Sequence, residues 1–380
     1  MRYSEEQKQG YEDKLDEIRL ELPKFLESYF DYLDTRGLAI RTKLGYAQDL
    51  LIFFQYFITR IEKFNYIPMH ELPVEFLSEI DVDMLNKYLK EIRSYVVRDS
   101  EIYYVRPNSS KDKEKYTKEG VGKLKTNSDA AICRKISSLK TMFNYYFITE
   151  KIARNPMVHI QSPDVNDKAI VILDGQQTKQ LMQNIDAHKT ADDTKRHKAH
   201  LEHYSARDYA ICSVLLGTGV RVSELVGMDL DDVDFHRNRI RIIRKGGDEE
   251  YVYFNEEVAE ALLFYLDTRK NITPVAGYEG ALFLSSQRKR LCVRSVQNLV
   301  HKYCDAVMGN KDIHVHTLRK TYGSRIYVQT GGDLLVTAKV LGHKSVKTTQ
   351  KAYAFLDEER VKSAVVHSSM FDENDNSAKK

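Results

Sequence analysis

No run of about 18 apolar residues, the length that crosses a bilayer, occurs in this 380-residue sequence. The first stretch, MRYSEEQKQGYEDKLDEIRLEL, is charged and helical in pattern and lacks the apolar core of a signal peptide. Cysteine is scarce. The four present (Cys133, Cys212, Cys292 and Cys304) are widely scattered and fit no zinc spacing. They read as free thiols in a reducing, cytoplasmic setting. There are no internal repeats, and the Gly-Lys-Ser/Thr of a nucleotide-binding loop does not follow "GTGV". No acid cluster suited to a metal stands beside the candidate chemistry, so no metal and no cofactor are expected.

Hydrophobic residues make up 42% and charged residues 30%, the balance of a soluble globular protein with cores enough for two domains. The net charge of +3 is no nucleic-acid signature by itself. Its distribution says more. Residues 132–154 carry five Lys/Arg against one Glu, and residues 236–245 carry five against none. Acids collect at 357–359 and 372–375. A near-neutral chain with local basic faces suits a surface that grips a polyanion on one side; solvated helix faces would give the same count.

The first part reads as helical. Leu22, Phe25, Tyr29, Tyr32 and Leu33 share one face, with Gly37 as a stop. A second amphipathic helix covers 39–61, and a third covers 75–96 with a start near Asp81. A fourth begins after the N-cap candidate Ser128 and repeats Ile132, Ile136, Leu139, Phe143 and Tyr146. That spacing is read as leaving Arg134, Lys135 and Lys140 off the apolar stripe. Residues 98–127 form a polar insertion or hairpin, and 156–168 an extended linker with two prolines nearby. Helices resume beyond it, interrupted by a lysine-rich insertion at 186–204. "RIRIIRKGGDEEYVYF" reads as a β-hairpin, and a disordered tail starts near 370.

Four islands in the second half share a chemical theme. They are "GTGVRVSEL" with Arg221, "RKGGDE" with Lys245, "HVHTLRKTYGSR" with His316 and Arg319, and "LGHKSVKTTQKAY" with His343 and Tyr353. Metal-free cleavage of a phosphodiester by tyrosine needs fixed cations for the charge on the non-bridging oxygens, which arginine supplies bidentately. It needs a proton donor for the leaving 5′-oxygen, and a lysine on a hairpin can reach that atom. It needs help for a phenol whose pKa is ordinarily near 10, and histidine titrates in a useful range. Each member alone has a plainer explanation: Arg221 could pair with Glu224, Lys245 could be a turn residue, and His316 could be a core histidine.

Taken together the chain resembles a tyrosine recombinase of the phage-integrase and Xer type. The signature of that family is Arg, Lys on a β-hairpin, His-x-x-Arg, His or Trp, then Tyr. It matches here as Arg221, Lys245, His316 with Arg319, His343 and Tyr353. The resemblance spans roughly 168–366, and "RTKLGYAQDL", with Thr42, Tyr46 and Asp49, resembles the family's helical core-binding domain. Tyr353 stands ten residues after His343, where some members have nine, and the two insertions are longer than in the simplest relatives.

The resemblance implies a mainly α fold with a small β-hairpin or sheet, arranged as a two-domain clamp. A helical, SAM-like core-binding domain would span 1–160. A mixed α/β catalytic domain would span 161–370, and a tail 371–380. It implies attack by Tyr353 to give a 3′-phosphotyrosyl bond, a phosphate clamped by Arg221 and Arg319, a leaving oxygen protonated by Lys245, a tyrosine proton handled by His316, and a hydrogen bond from His343. Glu224 is given a supporting place behind Arg221. Arg41, Thr42, Lys43, Arg134, Lys135 and Lys140 are the candidate contacts to double-stranded DNA. The implied assembly is a homotetramer on two core sites, with residues 356–366 docked in trans, for integration and excision of a mobile element or Xer-like resolution. A type IB topoisomerase-like relaxing enzyme and a non-catalytic DNA-binding protein are the alternatives.

Overall fold

The computed structural model describes residues 3–98, 101–104, 123–165, 171–187, 195–244, 247–308, 313–343 and 345–353. They are mostly helical and fall into two compact units, Met1–Lys168 and Ala169–Lys380.

In the first unit α1 (Tyr3–Glu21), α2 (Glu27–Thr35), α3 (Ile40–Ile58), α4 (Val82–Glu91) and α5 (Asp129–Ile148) surround an aromatic core. Phe53, Phe54, Phe57, Tyr88 and Phe143 are fully buried there and meet largely edge-to-face. Asp81 caps α4 by accepting from the Met84 N–H at 2.8 Å, and Ser128 caps α5 through the Ala131 N–H at 3.3 Å. The third helix is shorter than its pattern suggests. Its first part is a 3₁₀ stretch, Val74–Glu79, and it ends at Glu91. The β-prone run that follows becomes β1 (Ser94–Arg98), which pairs antiparallel with β2 (Glu101–Tyr104) and β3 (Lys123–Thr126). Most of the 98–127 insertion lies outside the described residues.

Two expectations are corrected here. Residues 156–160 are not linker: Pro156–His159 is a 3₁₀ turn whose Pro156 and Met157, with Ile160, are buried in the first unit. Lys135 is not on an open face. It is 2% exposed, and its Nζ donates to Asp49 Oδ1 at 2.8 Å. At about 100° per residue, position 135 falls beside 132, 139 and 142 on the wheel, inside the apolar arc. The residue type had set it apart; the geometry does not. Arg134, about 100° round the helix, keeps about half its side chain in solvent while bonding Asp49 and, at 2.9 Å, the Gly45 carbonyl. Asp49 itself, at 1% exposed, is the buried acid that gathers both cations.

In the second unit α7 (Lys195–Thr218) packs against α6 (Gly175–Ala187), α9 (Glu256–Arg269) and α11 (Val315–Gln329), while α10 (Val293–Met308) lies on α6 and α11. The short α8 (Val222–Gly227) follows α7. A small antiparallel sheet has the order β4 (Val233–Asp234), β5 (Arg239–Ile243), β6 (Glu249–Tyr253), with Ile240 opposite Val252. Ile240 and Ile242 face inward, while Arg239 and Arg241 pair outward with Asp234 and Asp232. α12 (Leu334–Leu341) ends at Gly342, whose φ of +60° is the left-handed stop that glycine adopts without strain. Residues 346–353 are helical. The tail and the segment 356–366 lie outside the described residues.

Candidate active site

Arg221 is the N-cap of α8. Its own N–H donates to Glu224 Oε2 at 2.8 Å, a carboxylate reaching back from the first turn. Its guanidinium donates to Glu224 Oε1 at 2.8 Å and to the Gly342 carbonyl at 3.3 Å. Arg221 keeps 36% of its side chain in solvent, whereas Glu224 keeps 3%. The acid is therefore a buried anchor and the arginine a partly open donor.

His316 and Arg319 stand one turn apart on α11. Arg319 is 3% exposed and donates to the carbonyls of Gly219 and Leu341. Two backbone oxygens thus fix its fork, one from the turn before Arg221 and one from the end of α12. Burial and the charge of Arg221 lower its pKa to about 10. It stays a cation at neutral pH.

His343 follows Gly342 and shares a hydrogen bond of 2.8 Å between its Nδ1 and Thr349 Oγ1. Loss of water around the ring, then the charges of Arg319 and Arg221, push it down to about 4. His316 remains partly open to solvent, yet desolvation followed by Lys320 and Arg319 holds it at about 4 as well. Both imidazoles are neutral at pH 7 and can accept a proton.

Tyr353 is 1% exposed. Its ring stacks on Tyr327, with centroids 6.0 Å apart and planes 15° apart, and it packs with Leu341. Its hydroxyl rests over Gly323 of α11. A Cβ at that position would come 1.9 Å from the oxygen, so only glycine leaves room for it there. Burial raises the phenol to about 12, against the pull of Arg319.

The structure thus brings Arg221, His316, Arg319, His343 and Tyr353 into one electrostatic neighbourhood, with Glu224 behind the first arginine. Lys245 lies outside the described residues, between β5 and β6 in the sequence. Among the described residues no group of three or more His, Cys, Asp or Glu is placed to hold a metal. The other candidates sit in the first unit. Arg41 is exposed with its guanidinium 5.2 Å from the Tyr11 ring centroid, Thr42 is half-buried, and Lys43 pairs with Asp34. Lys140 is half-buried on α5.

Sequence reasoning passed over Arg244, Gly323, Gly342 and Thr349. Arg244 had been counted only as part of a basic run. The glycines stand inside the quoted islands, yet nothing in a one-dimensional string marks which glycine will face a phenol or a guanidinium.

The phage integrase family model matches residues 172–360. A tyrosine recombinase XerC from Caldanaerobacter subterraneus subsp. tengcongensis is 30% identical over 353 residues, covering 91% of this chain and 87% of the relative. The chain belongs to the phage integrase family. It is a tyrosine recombinase, an enzyme of site-specific DNA recombination. Solved recombinases share the fold. A XerH recombinase bound to palindromic difH substrate aligns with a TM-score of 0.58 at 18% identity, covering 87% of this chain and 81% of that one. The Tn1549 transposon integrase, in complex with circular intermediate DNA, aligns with a TM-score of 0.55 at 20% identity, covering 88% and 97%.

Proposed function

We propose that this recombinase cuts and rejoins duplex DNA through a 3′-phosphotyrosyl intermediate on Tyr353. The observation that carries the reading is the convergence of two arginines, two neutral histidines and a buried tyrosine on the turns flanking α8, α11 and α12. Tyr353 Oη attacks phosphorus, the bond to the 5′-oxygen breaks, and a 5′-hydroxyl is released. A 5′-hydroxyl from the partner duplex reverses the step and joins new strands. The phosphotyrosine retains the bond energy, so no nucleotide is consumed.

Arg221 and Arg319 hold the non-bridging oxygens, with Glu224 fixing the first and backbone carbonyls the second. His316 takes the phenolic proton, Lys245 gives one to the leaving oxygen, and His343 donates a hydrogen bond to the phosphate. Arg41, Thr42, Lys43, Arg134 and Lys140 are the proposed contacts of the first unit with double-stranded core sites. Two relatives of the same fold were solved on DNA, which supports DNA as the partner. A tetramer on two sites, coupled by residues 356–366 in trans, is the assembly this chemistry calls for. Integration and excision of a mobile element or Xer-like resolution is its setting.

The test is Tyr353→Phe on a nicked duplex selected from a random-sequence pool by binding to the full chain. The variant removes one oxygen, should bind like the parent, and should leave no protein attached to DNA. A phosphotyrosyl adduct formed by that variant would place the nucleophile elsewhere.

A further inference from the structure

Arg244 stands one residue past the end of β5 and directly precedes Lys245. It is 8% exposed, an unusual depth for an arginine. Its Nε donates to Glu250 Oε2 at 2.6 Å, and its Nη1 donates to both oxygens of Glu224 at 3.1 and 3.3 Å. Its Nη2 is buried with no hydrogen-bond partner among the described residues. The guanidinium lies flat against Gly342: a Cβ there would meet Cζ at 2.4 Å and both Nε and Nη2 at 2.6 Å. Glu224 is therefore shared by Arg221 and Arg244, and the turn before His343 is gripped by Arg221, Arg244 and Arg319 together.

The charge count explains why a second arginine should sit behind the first. Two guanidiniums, Arg221 and Arg244, face two carboxylates, Glu224 and Glu250, so the charges balance. Without Arg244 one guanidinium faces the two carboxylates, and Glu224 keeps Arg221 as its only ion-pair partner among the described residues. A buried carboxylate in that state holds its one partner tightly and cancels its charge. We propose that Arg244 is a positioning residue for strand cleavage: by sharing Glu224 and packing on Gly342, it keeps the Arg221 guanidinium both aimed and available to the scissile phosphate. The inference rests on the phosphate-clamp reading of Arg221 given above.

A neutral phosphate isolates this role. In a methylphosphonate linkage a methyl group replaces one non-bridging oxygen, so the charge that Arg221 must meet is gone. Single-turnover cleavage by the full chain is compared on the selected nicked duplex carrying either linkage. Arg244→Gln should slow the phosphodiester about 100-fold, the scale of a misplaced electrostatic donor, and the methylphosphonate less than about 10-fold. Arg244→Lys, which restores charge without the fork, should fall between parent and Arg244→Gln on the phosphodiester. Gly342→Ala displaces the guanidinium without removing it and should show the same preference, which keeps the test open if Arg244→Gln melts too low to assay. Equal slowing on both linkages means Arg244 is merely structural, and a parental rate on the phosphodiester means it is idle; either result overturns the proposal. Arg221→Ala is the control. If it shows no preference for the neutral linkage, the clamp reading itself fails, whatever the Arg244 variants do.

Discussion

Lys135→Met separates two meanings of a lysine on α5. The side chain is 2% exposed and bonds an aspartate that is 1% exposed. Removing one partner of a buried ion pair costs about 3–5 kcal/mol because the other charge is stranded. Arg134 remains on the second oxygen of Asp49, so the lower end, about 3 kcal/mol, is the expected loss. For a unit of this size each kcal/mol moves the midpoint by about 2–4 °C, and the first unit should melt roughly 6–12 °C lower. Differential scanning calorimetry of the full chain measures this. Adding Asp49→Asn to Lys135→Met removes the stranded charge and should recover part of the loss, a coupling that a double-mutant cycle reads directly. DNA affinity across a salt series is the second assay. A phosphate contact would lower the slope of log affinity against log salt by about 0.9 when lost; a buried strut leaves the slope intact. An unchanged melting midpoint together with a reduced slope would refute the reasoning and return Lys135 to the DNA face.

The two histidines give the free protein a pH signature. Both are held near 4 in the folded chain against about 6.5 unfolded, so between those values the unfolded chain binds more protons. Stability should then rise with pH across that window and be lost as pH falls from about 6.5 toward 4; chemical denaturation at several pH values checks it, and His316→Gln with His343→Gln should flatten the profile. Gly323→Ala should expel the Tyr353 hydroxyl from its resting place, since the added carbon would sit 1.9 Å from the oxygen; ultraviolet titration should find the phenol below its parental value near 12. Deleting residues 357–380 should leave binding to one site nearly intact while impairing pairing of two sites and recombination, as judged by gel shift and strand-exchange yield.

The islands that carry chemistry were legible because each has a fixed local requirement. The His-x-x-Arg face follows from short-range spacing, as do the N-cap at Ser128 and the left-handed glycine stop at Gly37 in the first unit. The β5–β6 hairpin was equally readable from two β-rich arms around Lys-Gly-Gly-Asp. What failed was information held in three dimensions. Lys135 looked like a surface cation because lysine usually is one, yet its angular position places it among Ile132 and Leu139, and the acid that makes this tolerable lies 86 residues earlier. The third helix was overextended because Ser94–Arg98 continues its apolar content while changing its period from 3.6 to 2. Arg244 was hidden for a related reason: its partners Glu224 and Gly342 are far away in sequence, and composition sees only another positive charge.

The resting site separates the reagents of the proposed reaction. With a pKa near 12, ionising Tyr353 at pH 7 takes roughly 7 kcal/mol, against about 4 for an ordinary tyrosine. The difference of about 3 kcal/mol is roughly a hundredfold in phenolate. Meanwhile both imidazoles are neutral and able to accept a proton, and the arginines donate to carbonyls and Glu224. In the proposed reaction the base would be ready before the nucleophile. A bound phosphate changes both terms at once. It offers Arg221 and Arg319 a stronger acceptor than a backbone carbonyl, and those carbonyls belong to Leu341 and Gly342, at the end of the helix against which Tyr353 is packed. In the proposed reaction, drawing the guanidiniums toward DNA would loosen the floor beneath the tyrosine. Under the proposed clamp, phosphate binding and release of the tyrosine would draw on the same two hydrogen bonds, Arg221 to Gly342 and Arg319 to Leu341.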